Sequence, residues 1–503
     1  MTAFEIASEE VIETAFATTS RLYAENCAVC HGDQLQGAAQ GRALIGGELV
    51  HGASPEALVA SIGEGFPERG MPGWKQTLDP GQIRSLAALI AERRLGYEYS
   101  AVGYRFAEPL TLPEGIIRTR HHAFRLESVA VDLDPYPFAI VPLPDGRILL
   151  SERMSGLRFI SAQGEKLPRI SGTPPTYGFT QRPLGVPMGI GWSLGVALHP
   201  EYKDNGWIYL HHTDRCEDCN DKSRRLGVPV SLNRVIRGRI REGKWVDEEV
   251  IWSGQRDHYT ELPDASIGGG LAFDDAGHVY FSTGMKESAA EGIQDLSKPY
   301  GKIHRLHDDG RIPADNPFVG RSHAIHSIWN LGHRNPISLA FDPGRGKLWS
   351  TDMGPRGGDE LNLLLPGHNY GWPVHTLGTE YDGTPIDYDV EVEVGLEDID
   401  WPFVEFTPSP ALSSVTFYRG DAFPAWQDQM LVGSLKGMTL FRVVVDEDGL
   451  VERESLITNL ARIRDVAVDR DGHILLLLEH ESGGRIMRLV PEPILGAREA
   501  AGT

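Results

Sequence analysis

Six times along the chain, a polar turn built on Gly, Asp or Asn leads straight into a run of β-forming residues. The runs are Pro144-Asp145-Gly146-Arg147-Ile148-Leu149-Leu150, Asp204-Asn205-Gly206-Trp207-Ile208-Tyr209-Leu210, Asp275-Ala276-Gly277-His278-Val279-Tyr280-Phe281, Arg345-Gly346-Lys347-Leu348-Trp349-Ser350, Gln427-Asp428-Gln429-Met430-Leu431-Val432 and Arg470-Asp471-Gly472-His473-Ile474-Leu475-Leu476. Such a unit cannot bury its apolar face alone and must stack on its neighbours. Read as the central hairpin of a four-stranded blade, each predicts one blade. Residues from about 126 to 492 are therefore expected to form a six-bladed β-propeller, a mainly β fold. A pair of β-sandwiches would leave the recurrence unexplained. The 57 glycines and 33 prolines suit so turn-rich an architecture.

The first hundred residues read differently. Glu9 to Asn26 has a helical apolar spacing, and Cys27-Ala28-Val29-Cys30-His31 follows it. C-x-x-C-H is the attachment signature for c-type haem: both thiols add to the haem vinyls, and His31 is the proximal iron ligand. Met71, in Gly70-Met71-Pro72-Gly73-Trp74, is the candidate sixth ligand, and an amphipathic helix from about Asp79 to Arg94 comes next. The stretch resembles a class I cytochrome c, so residues 1–96 are expected to be a small all-α cytochrome domain with one covalent haem c. Residues 97–125 read as a linker lying on the next domain, with the basic run Arg118–His122 on a solvated face. Residues 493–503 read as a tail.

The net charge of −22 argues against general nucleic-acid or anionic-membrane binding. No apolar run reaches the roughly 18 residues of a membrane span. Met1–Ser20 shows no basic start followed by an apolar core, hence no visible signal peptide. Covalent haem nonetheless implies a periplasmic or secreted protein. Cys216 and Cys219 form a second C-x-x-C pair without a following His. A local disulfide and a zinc site with His211 or His212 are the two readings.

The densest stretch runs from Ile328 to Pro373. Gly332, Gly354, Gly357, Gly358, Gly367 and Gly371 stand there among Arg334, Asn335, Arg356, Asp359, Glu360 and Asn362 on either side of a strand pattern at Lys347–Thr351. This is chemistry carried in loops on a rigid β scaffold.

That stretch, with PLPDGRILLSER (142–153), LGVALHPEYKDNGWIYL (194–210), QDLSKPYGKIHRLHDDGRIPADNPF (294–318), FYRGDAFPAW (417–426), GSLKG (433–437) and RIRDVAVDRDG (462–472), resembles the soluble quinoprotein glucose and aldose sugar dehydrogenases, a family that includes sorbosone dehydrogenases. The resemblance implies pyrroloquinoline quinone (PQQ) and calcium at one end of the propeller axis. It assigns Arg334, Lys436, Arg462 and Arg464 to the cofactor's carboxylates and quinone, with Asn335 beside them. Fixed cations suit a tricarboxylate. It assigns the Gly354 and Pro355 carbonyls to the calcium at the quinone. Glu360 and the Tyr370 carbonyl, with Asp359 assisting or merely ion-paired, are assigned to a second calcium.

Departures from the family concentrate in one place. Ser266 stands where the family has its catalytic His, Met285 where an Asp supports that His, and Ile190 where a Gln is usual. Neither Ser266 nor Met285 is a base at neutral pH. His258, Asp264 and Glu287 lie close in sequence, so His258 and Asp264 join Arg334 as catalytic candidates. The expected function is a PQQ- and calcium-dependent dehydrogenase of a sugar, alcohol or aldehyde that passes electrons to its own haem and then to an external cytochrome, copper protein or oxidase. The alternative is a propeller binding module carrying an electron-transfer cytochrome.

Overall fold

The computed structural model describes residues 9–96, 110–178, 189–286, 290–381, 383–388, 390 and 393–493. The 97–109 part of the expected linker, Glu287 and the tail from 494 lie outside them.

The propeller is present with six antiparallel blades, five of them ordered sequentially outward from the axis. Innermost strands Pro137–Pro142, Ser193–Leu198, Gly268–Phe273, Pro336–Asp342, Leu412–Phe417 and Arg462–Val468 contact one another around a closed ring. All six recurrent units lead into the second strand of a blade, so each turn joins strands one and two. The unit is therefore the inner hairpin rather than the central one. Gly146, Gly206, Gly277, Gly346 and Gly472 hold positive φ there, and Asp428 takes that role in the fifth blade at φ 59°. Second strands such as Ile148–Glu152 and Ile474–Glu479 are buried throughout. Both faces of a blade press on neighbouring blades, which is why these strands read as apolar runs rather than alternating ones.

The last blade is completed by the strand that enters the propeller. Ala123–Leu133 pairs with Gly484–Glu492, Ala123 opposite Glu492. This strand begins inside the expected linker, and Leu110, Leu112 and Ile117 pack onto the core of the last two blades. His122 is not on a solvated face. Its ring stands edge-on to Trp426 at 4.9 Å, and its Nε2 accepts from the Ala425 N–H.

The N-terminal domain is helical: α1 (Glu9–Asn26), α2 (Ala28–His31), α3 (Pro55–Glu64) and α4 (Pro80–Arg94). Ser54 caps α3 ahead of Pro55, and Asp79 with Gln82 forms a capping box on α4. The sequence gives α4 one apolar face, yet Ser85 and Glu92 on its polar side are buried as well. The second face is covered by the propeller. Among the described residues no helix is long and apolar enough to cross a membrane.

Candidate functional site

Antiparallel topology sorts the loops by end. Turns between strands one and two lie at one end of the axis. Turns between strands two and three, and the entries into each innermost strand, lie at the other. Arg153, Cys216–Cys219, His258, Asp264, Ser266, Met285, Arg334, Asn335, Gly354, Pro355, Lys436, Arg462 and Arg464 all belong to the second end. Residues scattered over about 300 positions of sequence thus share one face.

Three guanidinium groups converge there on one carboxylate. Arg462 Nε donates to Glu479 Oε2 at 3.0 Å, Arg464 Nε to Oε1 at 2.5 Å, and Arg153 Nη2 also to Oε1. Burial raises the Glu479 acid, but Arg464, Arg153 and Arg462 outweigh it and hold it down to about 2. The cluster keeps an excess of two positive charges in a buried place. Arg153 Nε is buried with no hydrogen-bond partner among the described residues. Uncompensated buried cations are costly unless an anion meets them, so the donor set fits a polycarboxylate ligand. Arg153 and Glu479 were not singled out from sequence. A charged residue closing the apolar run Ile474–Leu478 was the available signal.

Arg334 is fixed from several sides. Its Nη1 donates to the Met353 carbonyl at 3.0 Å, Asp352 accepts from the backbone N–H groups of Arg334 and Asn335, and its guanidinium lies 5.5 Å from the Trp372 ring. Asn335 Oδ1 accepts from Gly268 N, which ties this loop to the Ser266–Gly270 segment.

Asp359 is a strut. It accepts from the N–H groups of Gly354 (2.9 Å) and Leu412 (2.8 Å) and from Ser409 Oγ, and burial pushes its acid up to about 7. It thereby fixes the loop that presents Gly354 and Pro355, whose carbonyls could hold a calcium ion. Glu360 stands directly between Asp352 and Glu405 in strand register. Burial, then Asp352, pushes its acid well up. Tyr370, stacked 4.7 Å from His333, lies beside it.

The region of the departures is tightly built. Asp264 Oδ1 accepts from Ser231 Oγ (2.8 Å) and Lys286 Nζ (3.0 Å), and Oδ2 from Gly191 N (2.8 Å) and Thr213 Oγ1 (2.6 Å). Four donors fill its acceptor positions, so the geometry suits a scaffold carboxylate rather than a base. Met285 donates its N–H to the Arg334 carbonyl and joins an apolar wall with Tyr259, Tyr300 and Trp372. The neighbouring His258 carbonyl accepts from Tyr300 OH, while its Nδ1 is buried without a hydrogen-bond partner among the described residues. Burial, reinforced by Lys298, lowers its pKa. Cys216 and Cys219 are joined in a disulfide that borders the same wall, which removes the zinc reading.

In the N-terminal domain a cavity of about 280 Å³ is lined by Cys27, Cys30, His31 and Met71 among apolar side chains including Leu86 and Ile90. Neither cysteine is in a disulfide. His31 Nδ1 lies 2.8 Å from the Arg42 carbonyl. A carbonyl only accepts, so Nδ1 carries the proton and Nε2 keeps the lone pair an iron needs. Met71 is held by paired backbone bonds with Phe66. The residues fit a covalently bound haem.

The two sites share one helix. Glu92 Oε1 accepts from Lys436 Nζ at 2.9 Å and Oε2 from Arg356 Nη2 at 3.3 Å; all three are buried. Arg356 Nη1 also donates to Ser85 Oγ (2.9 Å), and Arg84 Nε to the Gly383 carbonyl (3.2 Å). Leu86 and Ile90 lie about 130° round the helix from Ser85 and Glu92, counting 3.6 residues per turn.

Residues 134–488 match the glucose / sorbosone dehydrogenase family, and residues 14–90 match cytochrome C oxidase, cbb3-type, subunit III. Aldose sugar dehydrogenase YliI of Escherichia coli (strain K12) is 32% identical over 363 residues, 71% of this chain and 90% of that protein. Quinoprotein glucose dehydrogenase B of Acinetobacter calcoaceticus is 26% identical over 451 residues, 75% of this chain and 90% of its own length. The crystal structure of the soluble aldose sugar dehydrogenase from Escherichia coli, in its apo form, superposes with a TM-score of 0.63 at 30% identity, covering 73% of this chain and 100% of that one. Fold and similarity agree: the chain belongs to the glucose / sorbosone dehydrogenase family and carries a cytochrome c domain of the cbb3 subunit III type ahead of its propeller.

Proposed function

We propose that this protein is a periplasmic or secreted PQQ- and calcium-dependent dehydrogenase of a sugar, alcohol or aldehyde that delivers electrons to its own haem c and onward to an external acceptor. The observation that carries this reading is α4. One wall of the haem cavity and the contact to Lys436 are parts of the same helix, about 10–12 Å across with its side chains. When bound, the quinone would take an electron pair with calcium as Lewis acid, and the haem would take electrons singly. The chain's own contribution is binding and orientation. Arg153, Arg462, Arg464 and Lys436 would hold the quinone's carboxylates, Arg334 with Asn335 would add a cation and an amide beside them, and Asp359 fixes the Gly354–Pro355 loop. His258, neutral through burial, is the proposed acceptor of the substrate's hydroxyl proton, and Asp264 holds the surrounding loops.

The test is spectral. Haem-loaded protein is supplied with calcium and PQQ and challenged with sugars, alcohols and aldehydes while the reduced-haem bands are followed. PQQ-dependent reduction by one class names the substrate class. Failure to take up PQQ with calcium, or uptake without reduction by any of them, would favour the binding-module reading, which the apolar Met285 wall and the saturated Asp264 support.

A further inference from the structure

The geometry points to Glu92 as a member of the quinone site supplied by the cytochrome domain: its carboxylate holds Lys436 against the cofactor carboxylate that the same ammonium would bind, so docking of the cytochrome and occupancy of the site oppose each other. The inference rests on the quinone reading above.

Glu92 lies outside the matched region 134–488, so the family propeller does not supply it. Lys436 and Arg356 reach it from the strand-two-to-three turns of two adjacent blades. Glu92 is 1% exposed and Lys436 7%. Two buried cations therefore share one carboxylate, and a second carboxylate arriving at Lys436 meets a like charge in a place that screens poorly. An apolar or amide residue at 92 would leave Lys436 and Arg356 to an incoming anion. The docking itself is close: a Cβ on Gly383, which sits at φ 88°, would lie 2.6 Å from Ser85 Cβ and 2.7 Å from the Gly81 carbonyl. Contact at Gly383 and charge at Glu92 are thus separable levers on the same interface.

The experiment titrates PQQ, with calcium chloride present, into haem-loaded full-length protein, Glu92→Gln and Gly383→Ala, with the haem spectrum as the check on folding. Calorimetry gives the dissociation constant, and hydrogen exchange of the Pro80–Arg94 amides reports docking. Glu92→Gln, which removes charge at constant shape, is expected to bind PQQ at least tenfold more tightly. Gly383→Ala, which pushes α4 away and leaves the charge, is expected to tighten binding as well. In the unsubstituted protein PQQ is expected to speed exchange in α4. A merely structural tie would leave affinity unchanged or weaken it in both variants, and either result overturns the inference. If the unsubstituted protein takes up no PQQ, the quinone reading itself fails, and the inference with it.

Discussion

Ser85 and Leu86 are neighbours in sequence and belong to different sites. Ser85 Oγ accepts from Arg356 of the propeller at 2.9 Å, while Leu86 lines the haem cavity. Ser85 Oγ also lies 2.5 Å from Thr19 Oγ1 of α1, so the contact is better pushed from the propeller side, where a Cβ on Gly383 would lie 2.6 Å from Ser85 Cβ. Gly383→Ala is expected to keep a normal haem spectrum and normal substrate-driven reduction of an artificial dye. Haem reduction by substrate should slow by at least about tenfold, as misplacement of a positioned group does. Stopped-flow traces of the two acceptors check this.

Met71 shares the cavity with His31. A thioether ligand raises a haem's potential. Met71→Ala is expected to give a high-spin spectrum and a lower midpoint potential, while His31 and the two thioether bonds keep the haem in place. A redox titration reads the change, and an unaltered potential would remove Met71 from the iron.

Glu479, held down to about 2 against an ordinary value of 4.5, contributes stability that is present above pH 4.5 and lost as pH falls toward 2. Glu479→Gln removes that pH dependence and leaves three buried guanidinium groups without their carboxylate. The expected loss at pH 7 is about 3–5 kcal/mol. Denaturant unfolding at several pH values measures both effects.

Asp264 and Lys286 are buried and paired at 3.0 Å. Asp264→Asn strands the ammonium and is expected to cost about 3–5 kcal/mol. A base role predicts something else: lost turnover in a protein of normal stability. Thermal unfolding and turnover measured on the same samples separate the two.

His258 is lowered by burial and Lys298, against Asp257 and Asp295, which favour its protonation. It is therefore neutral above its ordinary value of 6.5 and loses its role as acid protonates it. The expected kcat/KM profile is flat above about pH 6.5 with an acidic limb below, set by the imidazole. His258→Gln should lower kcat by about 100-fold or more and abolish that limb. A limb that persists in the variant assigns it to another group.

Much of the fold was legible because its signals are local. Turn chemistry at Gly146 or Asp428 and the C-x-x-C-H spacing each lie within a few residues, and so does the Asp79–Gln82 cap. The site was legible by resemblance for Arg334, Lys436 and the Arg462–Arg464 pair. What stayed hidden is long-range pairing. Nothing near Glu92 indicates that Lys436, 344 positions away, will be its partner. The convergence of Arg153 with Arg464 on Glu479 exists only after the ring closes. Asp264 read as a candidate base because its four donors come from four separate segments.

Ring closure also sets an order of events. Ala123–Leu133 is made early and waits for Gly484–Glu492, its partner strand. The cytochrome domain, whose contacts are largely its own, has every residue it needs long before that pairing is possible. During synthesis the propeller passes through a stage with an open strand edge, the kind of surface that associates with other chains. A premature stop inside the propeller, after Leu133 and before Gly484, would thus leave a competent haem carrier attached to a sheet that cannot close.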